Sequence, residues 1–249
     1  DAAIGLQFGH DPAGQGLDLP GAARRVTIGV GQEAGQAADA VAAHLRLGAI
    51  GVEDAHAQLA TVVRGQGEDQ TETWPAMIAA VTDLAGKVTG VHRTWLARDG
   101  GSKAPVDTQR KAMGDLLGHA VRFGVAKEVM AAGEGIETVL SLRQVLPKMP
   151  MVAALSAGHL AALLFPAHLR RLYIVRDNDP AGDGARDSLV ARAHEVGLEA
   201  ITLSPMLGDF NDDLVTRGLD ALRAHIRVQL APEDVSRFLT QDQVTRRSG

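Results

Sequence analysis

The chain has no cysteine and few aromatic residues, which excludes cysteine-based sites and a core rich in aromatic side chains. Without cysteine it cannot form disulfides, bind zinc through thiolates or use a cysteine nucleophile. Phe, Trp and Tyr make up only 3% of its residues, whereas hydrophobic residues as a whole make up 45%. The sequence therefore predicts a core built from Ala, Val, Leu and Ile.

Positive net charge and long apolar runs are also missing. The formal net charge is −5, whereas proteins that hold duplex DNA by charge alone are usually basic. Contact with nucleic acid must then be local or bridged by a metal. No stretch approaches the roughly 18 uncharged apolar residues of a membrane span, and no signal peptide is visible, so we expect a cytoplasmic protein with no membrane partner. The sequence begins with Asp1 rather than Met, as a fragment of a longer chain would.

Residues 127–215 alternate between strand and helix patterns. Apolar strand patterns occupy residues 128–133, 151–156, 170–177 and 198–204, and helical patterns occupy 136–146, 159–165 and 181–197. Strands separated by helices of this length favour right-handed crossovers and a parallel sheet with helices on both faces.

The rest of the chain divides into three further parts. Residues 1–73 form an N-terminal region of unknown role, with a strand near residues 25–30 and two helices within 36–64. Residues 74–125 form a basic, β-rich lead-in with a hairpin or meander, whose tight turn is DLAGK, and a short helix over 109–122. Residues 126–215 form the part in which strand and helix patterns alternate, and residues 216–249 follow as a C-terminal helix, to about residue 230, and a polar tail.

Acidic residues follow three of the predicted strands. Glu134 comes after the first strand, Asp177 and Asp179 after the third, and Asp209, Asp212 and Asp213 after the fourth. In an open α/β sheet, ligands bind beyond the carboxyl ends of the strands. Carboxylate oxygens are the ligands that Mg²⁺ prefers. The combined pattern indicates a Mg²⁺ site at this edge, although any one of these residues alone is more typical of a solvated loop or a helix cap.

Small residues surround these acids in a way that suits a phosphate. Gly133 and Gly135 flank Glu134, so the backbone there is free to turn sharply and to let a phosphate come close. Pro180 and Gly182 follow the two aspartates, where we expect a helix to begin with its anion-favouring end at the site.

The order of these motifs resembles the Toprim domain, which is shared by bacterial-type primases, type IA and type II topoisomerases and some nucleases. A wider match resembles the Toprim-containing primase-like proteins of plasmids, phages and mobile elements, and it rests on the segments GVHRTWL, KAP, GEGIETVLS, ALSAGHL, RDNDPAG and DFNDDL. The resemblance implies an α/β fold with a Toprim (Rossmann-like) parallel sheet of about four strands flanked by helices, preceded by a smaller α+β lead-in region.

The resemblance also implies roles for individual residues. Glu134 would act as general acid/base or metal ligand, and Asp177 and Asp179 as the metal-binding pair, with Asp209 and Asp212 as further acids near the metal. The implied cofactor is Mg²⁺, with Mn²⁺ as a substitute. The implied partners are a single-stranded DNA template and nucleoside triphosphates, joined by a replicative helicase or by a zinc-binding module upstream of this chain.

The lead-in region carries a local excess of positive charge. Residues 85–125 contain seven Lys and Arg residues against three Asp residues, which would suit a template strand or nucleotide phosphates. Arg93 and Lys103 are the first candidates because both fall in segments that carry the resemblance. Arg176, directly before Asp177, could contact phosphate or neutralise the aspartates.

Three functions remain open from the sequence. The first is a primase-like nucleotidyl transferase, the second a Toprim metallonuclease that cleaves nucleic acid, and the third a non-catalytic nucleic-acid-binding accessory module. A topoisomerase is disfavoured because the only tyrosine, Tyr173, lies inside an apolar strand. No G-x-x-x-x-G-K-[ST] loop is present, so nothing supports a built-in P-loop helicase.

Overall fold

The computed structural model describes residues 74–239 and two short strands near the start of the chain. These strands, β1 (Gly16–Leu17) and β2 (Val26–Thr27), pair antiparallel. Of the strand predicted near residues 25–30, β2 is the described part, and the helices predicted within 36–64 lie outside the described residues. The chain separates into two compact units, Asp1–Val121 and Arg122–Gly249. The four-part division made from the sequence stays a prediction.

The first unit contains an antiparallel sheet in the order β3-β4-β5, with β3 at Ala76–Thr82, β4 at Val88–Trp95 and β5 at Arg110–Gly114. A tight turn joins β3 to β4. The Oδ1 of Asp83 accepts the backbone N–H groups of Ala85 and Lys87, both at 2.9 Å, and Gly86 has a φ of +83°. The predicted hairpin and its turn are confirmed.

The prediction of a short helix over residues 109–122 is wrong. This stretch forms β5 and then β6 (Val121–Phe123). Two glycines explain the error, because Gly114 and Gly118 have φ values of +106° and +80°, which do not continue a helix. A Cβ at Gly114 would also lie 2.6 Å from the Cα of Gly90, so this pair of strands closes to a distance that only glycine permits.

A five-stranded sheet forms the centre of the second unit, in the order β10-β9-β7-β8-β6. Its other strands are β7 (Val129–Gly133), β8 (Met151–Ala153), β9 (Arg171–Val175) and β10 (Glu199–Leu203). The pairings of β10 with β9, β9 with β7 and β7 with β8 are parallel. All residues of β7 and β8 are buried, as are the last four of β9, because strands covered on both faces consist of apolar runs.

Helices connect and flank these strands. They are α1 (Ile136–Arg143), α2 (Ala157–Ala161), α3 (Pro180–Glu195), α4 (Phe210–Arg217), α5 (Leu219–Arg227) and α6 (Pro232–Phe238). The predicted fold class is confirmed, with β6 as a fifth strand. Of the helices in the described part of the chain, none has both the length and the hydropathy of a membrane span.

The C-terminal part differs from the prediction of one helix followed by a polar tail. Gly218, with a φ of +84°, ends α4 and begins α5. Part of the predicted tail is α6, which buries Asp234 and Phe238. Pro232 starts this helix at a position where the missing N–H costs nothing.

A polar network attaches α6 to the beginning of β9. The guanidinium of Arg171 contacts Asp234 at 2.7 Å, Glu233 at 2.6 Å and Glu199 at 2.8 Å. The hydroxyl of Tyr173 donates to Asp234 at 2.8 Å and accepts the backbone N–H of Ala231 at 3.0 Å. Burial raises the pKa of Tyr173 above its ordinary range. This fully buried tyrosine is a structural residue, as its place in an apolar strand predicts.

The two acids of α6 should differ sharply in their effect on stability. Asp234 is 1% exposed and accepts hydrogen bonds from both the Arg171 guanidinium and the Tyr173 hydroxyl. Because hydrogen bonds to a charged group contribute about 1.5–3 kcal/mol, we expect Asp234→Asn to lower the free energy of unfolding by about 2 kcal/mol. Glu233 binds the same guanidinium but is 63% exposed, so Glu233→Gln should change little. Urea unfolding of the two variants would measure this, and equal losses would contradict the assignment of Asp234 as the anchor.

Candidate metal-dependent site at the sheet edge

The last residues of four parallel strands in the second unit are register partners. Leu203 of β10 is the register partner of Val175 of β9, which pairs with Gly133 of β7, which in turn pairs with Ala153 of β8. Neighbouring strands in a sheet lie about 4.8 Å apart. The turns that follow these strands, and the acids they carry, therefore start side by side along one edge.

The first of these turns carries Glu134, between the end of β7 and the start of α1. The carbonyl of Glu134 accepts the N–H of Leu155 at 2.8 Å, which fixes the backbone of the glutamate to the turn after β8. Leu155 has a φ of +77°, a left-handed conformation that costs energy in a residue with a Cβ. Such strain persists only where the surrounding structure holds it, and the hydrogen bond to Glu134 is one of the contacts that hold Leu155 there.

The glycines beside Glu134 contribute close packing rather than a special backbone conformation. Neither Gly133 nor Gly135 has a positive φ. A Cβ at Gly133 would lie 3.0 Å from the Cβ of Val175 and 3.1 Å from a methyl carbon of Val139. Gly133 thus lets β9 and α1 approach β7 closely. The predicted approach of a phosphate to these glycines stays a prediction.

The second turn carries Asp177 and Asp179 and runs directly into α3. Asp179 is the N-cap of this helix, and its Oδ1 accepts the N–H of Gly182 at 2.7 Å. A Cβ at Gly182 would lie 2.3 Å from the carbonyl oxygen of Asp177, so the first turn of α3 packs on the aspartate backbone as only glycine allows. The helix start predicted at Pro180, just beyond the aspartates, is confirmed.

The third turn carries the aspartates that follow β10, and they have different roles. Asp209 is the N-cap of α4: its Oδ1 accepts the N–H of Asp212 at 2.7 Å, and its Oδ2 accepts the hydroxyl of Thr138 at 3.2 Å. Asp213 is fully buried and accepts the N–H groups of Met206 and Leu207, both at 2.8 Å. Asp213 therefore shapes the turn from inside.

The surroundings of Asp212 in the folded protein disfavour the ionised form of its carboxyl group. Partial desolvation of its carboxyl group, and then the neighbouring charges of Asp209 and Asp213, raise the pKa of Asp212 above its ordinary value. Acidic groups held together against their mutual repulsion are typical of sites that bind a cation or a reacting group.

The donor chemistry of this edge fits Mg²⁺, and the geometry fits an open site. Within residues 74–239, no group of three or more His, Cys, Asp or Glu side chains is arranged to hold a metal ion. Asp179 and Asp209 each use one carboxylate oxygen as a helix cap. Mg²⁺ usually takes one or two carboxylates and completes its octahedron with waters and substrate phosphates. The residues therefore fit an open Mg²⁺ site, in which one or two carboxylates hold the ion and waters or substrate phosphates fill the other positions.

The basic residues predicted to bind substrate lie in two places. Arg176 contacts Asp183 through Nε and donates to the side chain of Asn178 at 2.9 Å, and its hydrogen bond lowers the pKa of Asp183. In the first unit, Arg93 of β4 stacks over the ring of Trp95 with its Cζ 4.2 Å from the ring centroid, and Lys103 follows in the connection to β5. Their substrate roles stay predictions.

Three further polar residues connect or hold the acid-bearing turns, and the sequence pattern picks out only Asp213 among them. Thr138 of α1 donates to Asp209, Asn178 bonds to the turn after β10, and Asp213 holds that turn from inside. A weak signal for each is its place in the chain: Thr138 lies four residues after Glu134, Asn178 lies between the two aspartates, and Asp213 ends the DFNDD run.

Comparison with known protein families gives two matches along the chain. Residues 30–123 match a family described as a domain of unknown function, DUF7146, and residues 129–220 match a family described as Toprim domain. The second match covers all three acid-bearing turns. The predicted resemblance to Toprim-containing proteins is confirmed. No curated protein matches the chain.

Solved structures of primases are similar to the chain at low identity. The primase fragment of the bacteriophage T7 primase-helicase protein is 13% identical with a TM-score of 0.48, over 63% of this chain and 65% of that one. The Aquifex aeolicus primase is 17% identical with a TM-score of 0.47, over 66% of this chain and 44% of that one. The RNA polymerase domain of the Mycobacterium tuberculosis primase is 18% identical with a TM-score of 0.40, over 65% and 58%. The chain thus spans less than two thirds of the length of each of these three.

Two glycines of α3 provide a matched test of the aspartate turn. Gly182→Ala places a methyl group against the Asp177 backbone, and such overpacking costs about 1–3 kcal/mol. Gly184→Ala meets no atom within 4 Å and should stabilise the helix by about 0.5–1 kcal/mol. Gly182→Ala should therefore lower the melting temperature and Gly184→Ala should raise it. A Gly182→Ala variant that melts above the wild type would contradict the described packing.

The charge of Asp212 should lower stability in the absence of metal. Because its pKa is higher in the folded protein, we expect Asp212→Asn to raise the melting temperature at pH 7 in EDTA. The gain should shrink as the pH falls through the raised pKa, and disappear below the ordinary value of 3.8, where the wild-type carboxyl group is neutral in both states. A melting temperature that falls at pH 7 would show that the Asp212 charge is stabilising.

Proposed function

We propose that this chain is a Mg²⁺-dependent, primase-like nucleotidyl transferase that synthesises short primers on single-stranded DNA, in the replication of a plasmid, phage or other mobile element. The observation that carries the proposal is that Glu134, Asp177 and Asp209 lie in the turns that follow three neighbouring strands, β7, β9 and β10, whose ends are in register. The Toprim match over residues 129–220 supports a nucleic-acid enzyme.

In this proposal Asp177 and Asp179 hold the metal, and Asp209 and Asp212 contribute to its surroundings. Bound Mg²⁺ would neutralise charge on the nucleotide phosphates and favour deprotonation of the primer 3′-hydroxyl. Asp179 can take part while it caps α3, because its capping bond to Gly182 uses only Oδ1. The positive end of the α3 macrodipole lies at the same turn and favours the phosphate.

Glu134 is the proposed general acid/base. Its backbone is fixed through Leu155 on one side and continues into α1 on the other, so its carboxylate extends from a rigid point. A proton acceptor must be within hydrogen-bond reach of the hydroxyl that it deprotonates, and a fixed backbone reduces the cost of holding that geometry.

Template and nucleotide phosphates would bind basic residues. Arg93 and Lys103 are the proposed contacts in the first unit. Trp95 is 8% exposed and packs in a cluster with Ala76 and Ala104, so it serves as a platform for the Arg93 guanidinium rather than as a stacking surface for a base. A replicative helicase or a separate zinc-binding module are the proposed further partners.

A non-catalytic accessory module is the second candidate. The observation that favours it is that, among the residues described, no three acidic or histidine side chains are already grouped for a metal. Such a module would bind single-stranded DNA through its basic residues and leave the chemistry to another protein.

The decisive assay is incubation of the purified chain with single-stranded DNA, labelled nucleoside triphosphates and Mg²⁺ or Mn²⁺. We expect short new oligonucleotides on a gel, and their loss in the Asp177→Ala/Asp179→Ala variant, because removing both carboxylates removes the proposed metal pair. A circular-dichroism melt of the variant serves as the control for folding.

The other products of this assay separate the alternatives. Shortened DNA that depends on the same two aspartates would identify the metallonuclease instead. Bound but unchanged DNA, with neither new nor shortened strands, would contradict catalysis and favour the accessory module.

A further inference from the structure

Asn178 lies between the two aspartates of the second turn, and two of its hydrogen bonds go to residues of the turn after β10. Its backbone N–H donates to the carbonyl of Gly208 at 2.8 Å, and its side-chain Nδ2 donates to the carbonyl of Leu207 at 3.1 Å. Its Oδ1 accepts from Arg176 at 2.9 Å. One residue thus joins the turn after β9 to the turn after β10.

The partners of Asn178 are themselves fixed on the β10 side. Asp213, fully buried, holds the N–H groups of Met206 and Leu207. At the other end of this turn, Gln229 of the segment after α5 accepts the N–H of Ser204 at 2.8 Å and donates to its carbonyl at 3.1 Å. The carbonyls that Asn178 contacts therefore belong to a turn held at both ends.

Arg176 fixes the β9 side in the same way. Its guanidinium contacts Asp183, which also pairs with Arg186 at 3.0 Å, so the acceptor oxygen of Asn178 is directed at a cation already held by α3. The orientation of the Asn178 amide follows from these partners. A carbonyl can only accept and a guanidinium can only donate, so the nitrogen faces Leu207 and the oxygen faces Arg176.

We propose that Asn178 is a positioning residue that sets the spacing between the turn carrying Asp177 and Asp179 and the turn carrying Asp209 and Asp212. The inference rests on the proposed metal site and adds a residue that acts through the backbone of the two turns. Asparagine suits this role because one short, uncharged side chain supplies both a donor and an acceptor. Alanine supplies neither, and aspartate cannot donate to Leu207.

The chain offers a matched control for this role. Gln229 is also an amide side chain bonded to the backbone of the β10 turn, but it contacts Ser204 at the opposite end and none of the residues of the aspartate turn. Gln229→Ala and Asn178→Ala each remove one uncharged amide, so neither changes the charge near the metal. Asn178 is exposed, so its substitution leaves the core intact.

The test is a titration of the full chain with Mn²⁺ alone, followed by electron paramagnetic resonance of the free ion, for wild type, Asn178→Ala, Gln229→Ala and Asp177→Ala/Asp179→Ala. Residues that orient metal ligands typically contribute 10–100-fold to metal affinity. We expect Asn178→Ala to weaken Mn²⁺ binding by about 10-fold or more, and Gln229→Ala to bind as wild type does, with melting temperatures recorded for both.

The outcomes distinguish this inference from the proposed function. If wild type binds Mn²⁺, the double aspartate variant does not, and Asn178→Ala binds as tightly as wild type, the metal site stands and the positioning role of Asn178 is overturned. If Asn178→Ala and Gln229→Ala weaken binding equally, the effect is general loosening of the β10 turn, which also overturns it. If the double aspartate variant binds Mn²⁺ as wild type does, or wild type does not bind it, the proposed metal site itself fails, and the inference with it.

Discussion

The in-register pairing of β7 with β9 is the constraint on which the site depends. Gly133 and Val175 are partners at the ends of these strands, and the missing side chain of Gly133 lets β9 and α1 pack against it. Because β10 and β8 continue the same register on either side, all four following turns begin at one edge. The strands therefore bring the acid-bearing turns together at this edge.

Two acids of this edge have structural roles beside the functional roles proposed for them. Asp179 and Asp209 each cap a helix with one oxygen, so the conservative interpretation of each as an N-cap is correct. At Asp179 the capping bond uses Oδ1, whereas at Asp209 the Oδ2 also accepts the Thr138 hydroxyl, and these bonds fix the direction of each carboxylate. The same bonds that begin α3 and α4 therefore orient acids toward the edge where a metal and a phosphate would bind.

The sequence predicts the sheet of the second unit well and its surroundings less well. Strands such as β7 and β9 are uninterrupted apolar runs separated by helices, and burial on both faces requires that pattern. The edge strand β5 was missed because RKAMG is exposed along most of its length and has no apolar alternation. Helix α6 was missed because PEDVSRF is mostly polar, and its burial depends on the distant partners Arg171 and Tyr173.

In the candidate site, the directions of individual side chains are likewise not predictable from the sequence. The sequence places the acids on the correct turns, but it does not tell which of them turns inward. Phe210 and Asp213 are three residues apart on α4, so the face that buries the phenylalanine also buries the aspartate. Neither the inward direction of Asp213 nor the bonds of Asn178 follow from local pattern, because their partners lie in other turns.

The central claim is that a metal binds where these turns meet, and a crystal of the chain with Mn²⁺ and a nucleoside triphosphate tests it most directly. The account predicts an anomalous manganese peak coordinated by Asp177, beside Glu134, with the nucleotide phosphates completing its shell. A bound nucleotide with no manganese at this edge, or manganese held only by residues elsewhere in the chain, would contradict the account.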